Sequence, residues 1–142
     1  LRSRAVALGV GASVEFLGHR EDIEALLAEA DIGLLPSTIE GLSNTLLEYM
    51  AGGLPVVASR ISGSEDLVVP GHNGWLFAPG DAAALAGHLR EAAAMDPARR
   101  RELGAQARRD VVATAGLNVV VARLVAVYRG ATMHSSPSTH RS

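Results

Sequence analysis

The chain has 142 residues, of which 48% are hydrophobic and 4% aromatic, and its formal net charge is −2. This length can bury one substantial core of aliphatic side chains, and the slightly acidic balance lacks the basic surface of a nucleic-acid-binding protein. The absence of cysteine excludes disulfides and thiolate chemistry, and no uninterrupted apolar stretch reaches the length of a membrane span.

Apolar runs closed by Gly, Pro or Ser alternate with helical patterns along the first part of the chain. In chain order they predict a helix at residues 1–10 that ends at Gly11, a strand at Val14–Leu17, a helix at Glu21–Ala30, a strand at Asp31–Pro36, a helix at Ser43–Ala51, a strand at Pro55–Ser59, a short helix at Glu65–Val69 and a strand at Trp75–Ala78. This order is typical of a parallel sheet with right-handed crossover helices.

The last third of the chain predicts helices with capping residues at their starts. Asp81 caps one that runs to about residue 95, and Asp96 followed by Pro97 opens the next, which runs to about residue 114. The Arg99–Arg101 and Arg108–Arg109 clusters are predicted to be solvated helix faces. Beyond these, the patterns predict a last helix at Asn118–Arg129, a globular part that ends near residue 130, and a disordered tail at 131–142.

The stretch from Glu40 to Glu48 carries the clearest functional signal, because two carboxylates enclose a loop that leads into a helix. In βαβ units, ligands bind outside the carboxyl ends of the strands, where such loops enter helices. Free N–H groups at a helix start favour an anion such as phosphate, and Gly41 lets the backbone approach a ligand. Residues 43–45 offer caps or hydrogen bonds, and Glu48, about one turn into the helix, can accept two hydroxyl hydrogen bonds, as from a ribose diol.

This segment and its flanks resemble a known family. Glu40 and Glu48, with seven residues between them, match the Glu-x7-Glu motif of retaining GT-B glycosyltransferases of the group 1 or family 4 type, which use nucleotide-sugar donors. The segments at 14–18, 30–32, 48–58, 63–68 and 71–77 match the family as well. The resemblance spans about residues 5 to 130. It implies an α/β fold, namely the Rossmann-like C-terminal half of a GT-B enzyme without its first two βα units.

The resemblance assigns roles to individual residues. Glu40 would contact hydroxyls of the donor sugar and is the candidate catalytic residue, whereas no residue is assigned as a general base. The donor-binding residues implied are Glu40, Gly41, Leu42, Ser43, Asn44, Thr45 and Glu48. The amides of residues 41–43 would face the sugar and the diphosphate, and Glu48 would hold the ribose. The nucleotide base would rest on the loop formed by Gly18, His19 and Arg20. Tyr49 stands where the family usually has Ala, which indicates either a subgroup or a packing contact.

The resemblance also implies what the chain lacks. In the family, an Arg and a Lys on the first two βα units neutralise the diphosphate, whereas this chain contains no Lys and has no Arg in the matching place. The acceptor-binding N-terminal domain is absent too, so we expect a fragment that is inactive alone. Because the missing strands would be the central ones, we expect Val14–Leu17 to pair directly with the strand at Asp31–Pro36, or the open sheet edge to recruit another chain.

The sequence therefore predicts the donor-binding part of an enzyme that moves a sugar from a nucleoside-diphosphate sugar to an acceptor hydroxyl with retention of configuration. No cofactor and no metal are expected. Two alternatives stay open. One is a GT-B nucleotide-sugar epimerase, which the seven-residue spacing disfavours, and the other is a non-catalytic module that binds nucleotide weakly or docks on a partner. The parent enzyme is expected to be bacterial and cytoplasmic, with peripheral association at the inner face of the membrane left open.

Overall fold

The computed structural model describes residues 1–39 and 43–115. Helices α1 to α6 occupy Arg2–Ala7, Ile23–Glu29, Asn44–Ala51, Ser62–Glu65, Ala82–Ala94 and Pro97–Ala115, and a 3₁₀ turn occupies Gly11–Ser13. Strands β1 to β3 occupy Gly33–Leu35, Val56–Ser59 and Gly74–Phe77. The predicted last helix at Asn118–Arg129, the predicted tail from residue 131, and the loop residues Glu40, Gly41 and Leu42 lie outside the described residues.

The three strands form one parallel sheet in the order β1-β2-β3. In register, Val56 of β2 stands opposite Gly33 of β1 and Gly74 of β3. Parallel neighbours need a crossover connection, which α3 supplies between β1 and β2, and α4 with its following turn supplies between β2 and β3. All four residues of β2 are buried, as expected for the central strand of a sheet that is covered on both faces.

Alternate side chains of the sheet point into two hydrophobic clusters, one on each face. On one face Val56 and Ala58 pack with Leu46 and Met50 of α3 and with side chains of α6. On the other face Val57 packs with β3 side chains beneath α5. The predicted α/β class, a Rossmann-like parallel sheet with helices on both faces, is therefore confirmed.

Helices α5 and α6 begin at the residues that the capping patterns predict. The Asp81 carboxylate accepts a hydrogen bond from the backbone N–H of Ala84 at 2.9 Å. The Asp96 carboxylate accepts one from the N–H of Ala98 at 2.8 Å. Each carboxylate satisfies an N–H group that has no partner within its own helix, which fixes the first turn.

The predicted strand at Val14–Leu17 is wrong, and so is its predicted pairing with the strand that contains β1. Val14 is extended, but β1 pairs with β2, and the described part of the chain gives residues 14–17 no strand partner. Val14 and Leu17 are each 41% exposed. An extended apolar segment becomes a strand only where a second backbone pairs with it. Strand β1 has three residues and offers few hydrogen bonds, which do not offset the conformational entropy that residues 14–17 would lose on pairing.

Helix boundaries also differ from the prediction, most of all for α1 and α4, whereas α2 covers Ile23–Glu29 within the predicted Glu21–Ala30. Helix α1 ends at Ala7 and not at Gly11, because Gly9 adopts φ +71° and turns the chain out of the helix. Helix α4 covers Ser62–Glu65 and not Glu65–Val69. It forms early because the Ser64 hydroxyl accepts a hydrogen bond from the N–H of Ile61 at 3.2 Å and donates to the carbonyl oxygen of Ser59, which closes a turn directly after β2.

Candidate functional site

The start of α3 forms one wall of the candidate site. Helix α3 begins at Asn44, one residue after the predicted start, because Ser43 is its N-cap and the Ser43 hydroxyl oxygen accepts a hydrogen bond from the N–H of Leu46 at 3.4 Å. Ser43 is buried by this capping role, whereas Asn44 and Thr45 are exposed in the first turn. Leu46, fully buried, anchors the inner side of the same turn. The first turn of a helix leaves N–H groups without partners inside the helix, and such groups favour an anion at the carboxyl end of the sheet.

Glu48 lies one turn into α3 with an exposed side chain. It lines an open groove of about 780 Å³, a volume in the range of small-molecule sites. The groove is bounded by α2, α3 and α6, and its lining residues are Glu21, Asp22, Ile23, Glu24, Ala25, Leu27, Ala28, Glu48, Ala51, Gly52 and Arg108. Glu40, Gly41 and Leu42 lie outside the described residues, so the structure gives no distance between the two glutamates of the motif.

The predicted base loop leads directly into this groove. Gly18 adopts φ +71°, and His19 is exposed. The Arg20 guanidinium donates to both carboxylate oxygens of Asp22, with its Nε at 2.6 Å from Oδ1. That hydrogen bond holds the pKa of the Asp22 carboxyl below its ordinary value. Because Glu21 and Asp22 line the groove with Glu48, the structure brings the end of the base loop and the proposed ribose residue to one surface.

The groove includes residues that the sequence did not predict. Arg108 is exposed, as predicted for a solvated helix face, and it also lines the groove with Glu48 because α6 packs along α3. The floor at Ala51 and Gly52 is made of small residues, and the Cβ position of Gly52 would lie 3.3 Å from Leu27 Cβ of α2. Helical periodicity indicates which residues face outward, but it does not indicate which helix lies alongside. No sequence signal therefore identifies Arg108.

Tyr49 makes a packing contact, which is one of the two interpretations of this position. Its ring lies against Gly33 of β1, where an added Cβ would stand 2.6 Å from Tyr49 Cγ. The side chain packs against the cluster that contains Leu46 and Met50. Burial raises the pKa of the Tyr49 hydroxyl, and the negative charge of Glu48 raises it further.

The described residues form neither a metal site nor a membrane span. Within residues 1–39 and 43–115 no group of three His, Asp or Glu side chains stands close enough to hold a metal ion. None of the helices in these ranges is both long and apolar enough to cross a membrane. His72, half-exposed, places its Nε2 atom 3.4 Å from a carboxylate oxygen of Asp110, at the opposite end of β3 from the start of α5.

Known proteins resemble most of this chain. The sequence profile described as "Glycosyl transferases group 1" matches residues 1–95. Among curated relatives, the amylovoran biosynthesis glycosyltransferase AmsK of Erwinia amylovora is 47% identical over 84 residues, which is 54% of this chain and 21% of the relative. The MMP alpha-(1->4)-mannosyltransferase of Mycolicibacterium hassiacum is 37% identical over 115 residues, 78% of this chain and 27% of that protein. The chain therefore spans between a fifth and a third of the length of these relatives.

Solved structures match the fold closely. The sucrose-phosphate synthase of Thermosynechococcus elongatus superposes with a TM-score of 0.86 at 30% identity, covering 94% of this chain and 34% of the synthase. Anabaena Alr3699/HepE, solved in complex with UDP, gives a TM-score of 0.85 at 27% identity. The matched region covers 90% of this chain and 35% of the Anabaena protein. The same Anabaena protein is also solved in complex with UDP-glucose, where the TM-score is 0.75 at 28% identity over 87% of this chain and 35% of that one.

Proposed function

The chain belongs to the group 1 glycosyl transferases and has the Rossmann-like sheet of a GT-B enzyme, and we propose that it binds the nucleotide-sugar donor of a retaining glycosyltransferase. The observation that carries this proposal is that Glu48, one turn after the capped start of α3, lines one groove with the start of α2. Supporting it, a structural neighbour is solved with UDP and with UDP-glucose.

The chemistry of the groove suits a nucleoside diphosphate attached to a sugar. Glu48 accepts hydrogen bonds from the two ribose hydroxyls, and the free N–H groups at the start of α3 receive the diphosphate. Because the Ser43 hydroxyl oxygen caps the helix, Asn44 and Thr45 are the side chains of this turn left for phosphate contacts. Glu40 contacts the sugar, together with the backbone of residues 41–42.

The parent enzyme, in this proposal, transfers the sugar to an acceptor hydroxyl with retention of configuration. No metal is required, because backbone N–H groups and basic groups stabilise the departing diphosphate. The acceptor domain and the basic pair come from the rest of the parent, so the chain alone binds donor without turnover. We also propose that the parent enzyme is cytoplasmic. It associates peripherally with the membrane and with itself through the β1 edge of the sheet.

A binding experiment tests the donor proposal. Saturation-transfer NMR of the chain with UDP-, GDP- and ADP-sugars should show binding that prefers one nucleotide. Glu48→Ala removes two hydrogen bonds to a charged group, each of about 1.5 to 3 kcal/mol, so we expect affinity to fall at least tenfold. Glu91→Ala is the matched control, because Glu91 is an exposed glutamate on α5, against the other face of the sheet.

Two results would contradict the proposal. Equal affinity of Glu48→Ala and the unmodified chain would remove Glu48 from the donor site. No binding of any nucleotide sugar by a chain that is folded by circular dichroism would favour the non-catalytic docking module. Restored turnover on adding the acceptor domain would exclude that module.

A further inference from the structure

The contact between α3 and β1 depends on one glycine. A Cβ at Gly33 would stand 2.6 Å from both Cγ and Cδ2 of Tyr49, and 2.8 Å from its Cβ. Contacts below 3.0 Å do not persist in folded proteins, so any larger residue at position 33 must displace the Tyr49 ring. Gly33 and Tyr49 form a matched pair, because the Tyr49 ring occupies the space that a side chain at position 33 of β1 would fill.

This pair adds to the core contacts that hold α3. Leu46 and Met50 are both fully buried and lie four residues apart on one stripe of the helix. With the partly buried Leu47, they pack in the cluster that includes side chains of β1 and α6. Tyr49 lies about 100° around the helix from Met50, and its ring lies against Gly33 of β1. It therefore adds a contact that opposes rolling of α3 about its axis.

A roll of α3 about its axis would displace the carboxylate of Glu48, the proposed ribose-binding group. It directly precedes Tyr49 and lies on the outer surface of α3, where it lines the groove. A roll of about 20° at the radius of a glutamate carboxylate displaces that carboxylate by about 2 Å, given an outer helix radius of about 5 to 6 Å. A displacement of this size breaks hydrogen bonds whose useful range is about 2.7 to 3.2 Å.

We propose that Tyr49 is a positioning residue of the donor site, whose ring, seated against Gly33, fixes the roll of α3 and hence the place of the Glu48 carboxylate in the groove. This inference rests on the proposed function and names the element that sets its geometry. The electrostatics agree with it, because the Glu48 charge reaches the Tyr49 hydroxyl and contributes to its raised pKa. The two neighbouring side chains are thus held close enough to sense each other's charge.

Substitutions on the two sides of the contact test the proposal in the full chain. Tyr49→Ala opens the contact and Gly33→Val overfills it, so we expect each to weaken nucleotide-sugar binding roughly tenfold. Tyr49→Phe keeps the ring and should bind within about twofold. Urea unfolding of each variant shows that binding is measured on folded protein.

A second measurement separates positioning from a merely structural role. If Tyr49 acts through Glu48, then Glu48→Ala costs tenfold or more in the unmodified chain but little in the Tyr49→Ala background. Additive losses would overturn the proposal.

Titration of the Tyr49 phenol distinguishes a failure of the donor-binding proposal from a failure of the positioning proposal. In a Tyr128→Phe background, Tyr49 is the tyrosine whose absorbance titrates, and Glu48→Gln should lower its pKa. If no nucleotide sugar binds but this shift appears, the donor proposal fails while the ring and the carboxylate are still held together. If the shift is absent, the positioning proposal fails whatever the binding result.

Discussion

Gly104 offers the sharpest test of the packing, because α6 passes the end of α3 there. A Cβ at Gly104 would stand 1.9 Å from the carbonyl oxygen of Gly53, so Gly104→Ala forces α6 to move away by about 1 Å or more. A backbone oxygen cannot rotate aside. The movement loosens Ala107 and Val111, which α6 buries in the core. Overpacking costs about 1 to 3 kcal/mol and the loosened contacts add to it, whereas the helix propensity of alanine returns about 1 kcal/mol. We expect a net loss of about 2 kcal/mol.

Gly87→Ala is the matched control, because Gly87 is exposed in the middle of α5 and an added Cβ would meet no atom within 4 Å. It keeps only the propensity gain, so it should stabilise the chain by about 0.5 to 1 kcal/mol. With an m-value of about 2 kcal/mol/M, the urea midpoint should fall by about 1 M for Gly104→Ala and rise by about 0.3 to 0.5 M for Gly87→Ala. A Gly104→Ala chain as stable as the unmodified one would refute the close approach of α6 to Gly53.

Three further outcomes follow from other parts of the molecule. Asn73 is fully buried, and its side-chain amide accepts a hydrogen bond from the N–H of Val69 and donates to the Leu67 carbonyl oxygen and the Asp110 carboxylate. Asn73→Ala should therefore lower the free energy of unfolding in urea by about 2 to 4 kcal/mol. A loss under about 1 kcal/mol would show that these hydrogen bonds do not stabilise the fold. Amides of Val14–Leu17 should exchange with deuterium at least about a hundredfold faster than those of Val56–Ser59, and comparable protection would show that the first segment does form a strand. Because the folded pKa of Tyr49 is raised, its contribution to stability is fully present below the ordinary tyrosine pKa and is lost as pH rises through the raised value; Tyr49→Phe should lessen this alkaline loss, and identical alkaline unfolding would argue against it.

Features fixed by local chemistry are the ones that the sequence predicts well. The starts of α3, α5 and α6 follow from the capping side chains of Ser43, Asp81 and Asp96, each of which bonds an N–H two or three residues ahead. The three strands of the sheet follow from short apolar runs, because both faces of this sheet are covered. These signals come from residues that are close together in the sequence, so a single amino-acid sequence is enough to detect them.

Features fixed by distant contacts are the ones that the sequence predicts poorly. Val14–Leu17 has the composition of a strand, but a strand also requires a partner backbone, which its own residues do not reveal. Helix α4 forms one turn earlier than predicted because the Ser64 hydroxyl closes a turn onto Ser59. Arg108 enters the groove only through the packing of α6 on α3. The motif predicts that Glu48 is functional, whereas the shape of the groove around it is a tertiary property.

The charge of the groove limits what the chain can bind unaided. Glu21, Glu24 and Glu48 line it, and Arg108 is the arginine among its lining residues, while Asp22 is paired with Arg20. A nucleotide sugar is itself anionic, and two exposed like charges about 4 Å apart repel by about 1 kcal/mol in water. The favourable groups on this surface are Arg108 and the hydrogen-bonding capacity of Glu48 for hydroxyls.

This balance assigns different tasks to different parts of the proposed enzyme. Recognition of the ribose needs a carboxylate, which Glu48 supplies, whereas neutralising the diphosphate needs cations in addition to helix amides. Within the described residues, the groove offers only Arg108 toward that need. In our proposal the parent enzyme therefore provides the cations, and the isolated chain binds donor weakly. The loss on Glu48→Ala, measured against Glu91→Ala, is for this reason a better criterion of the donor site than the absolute affinity.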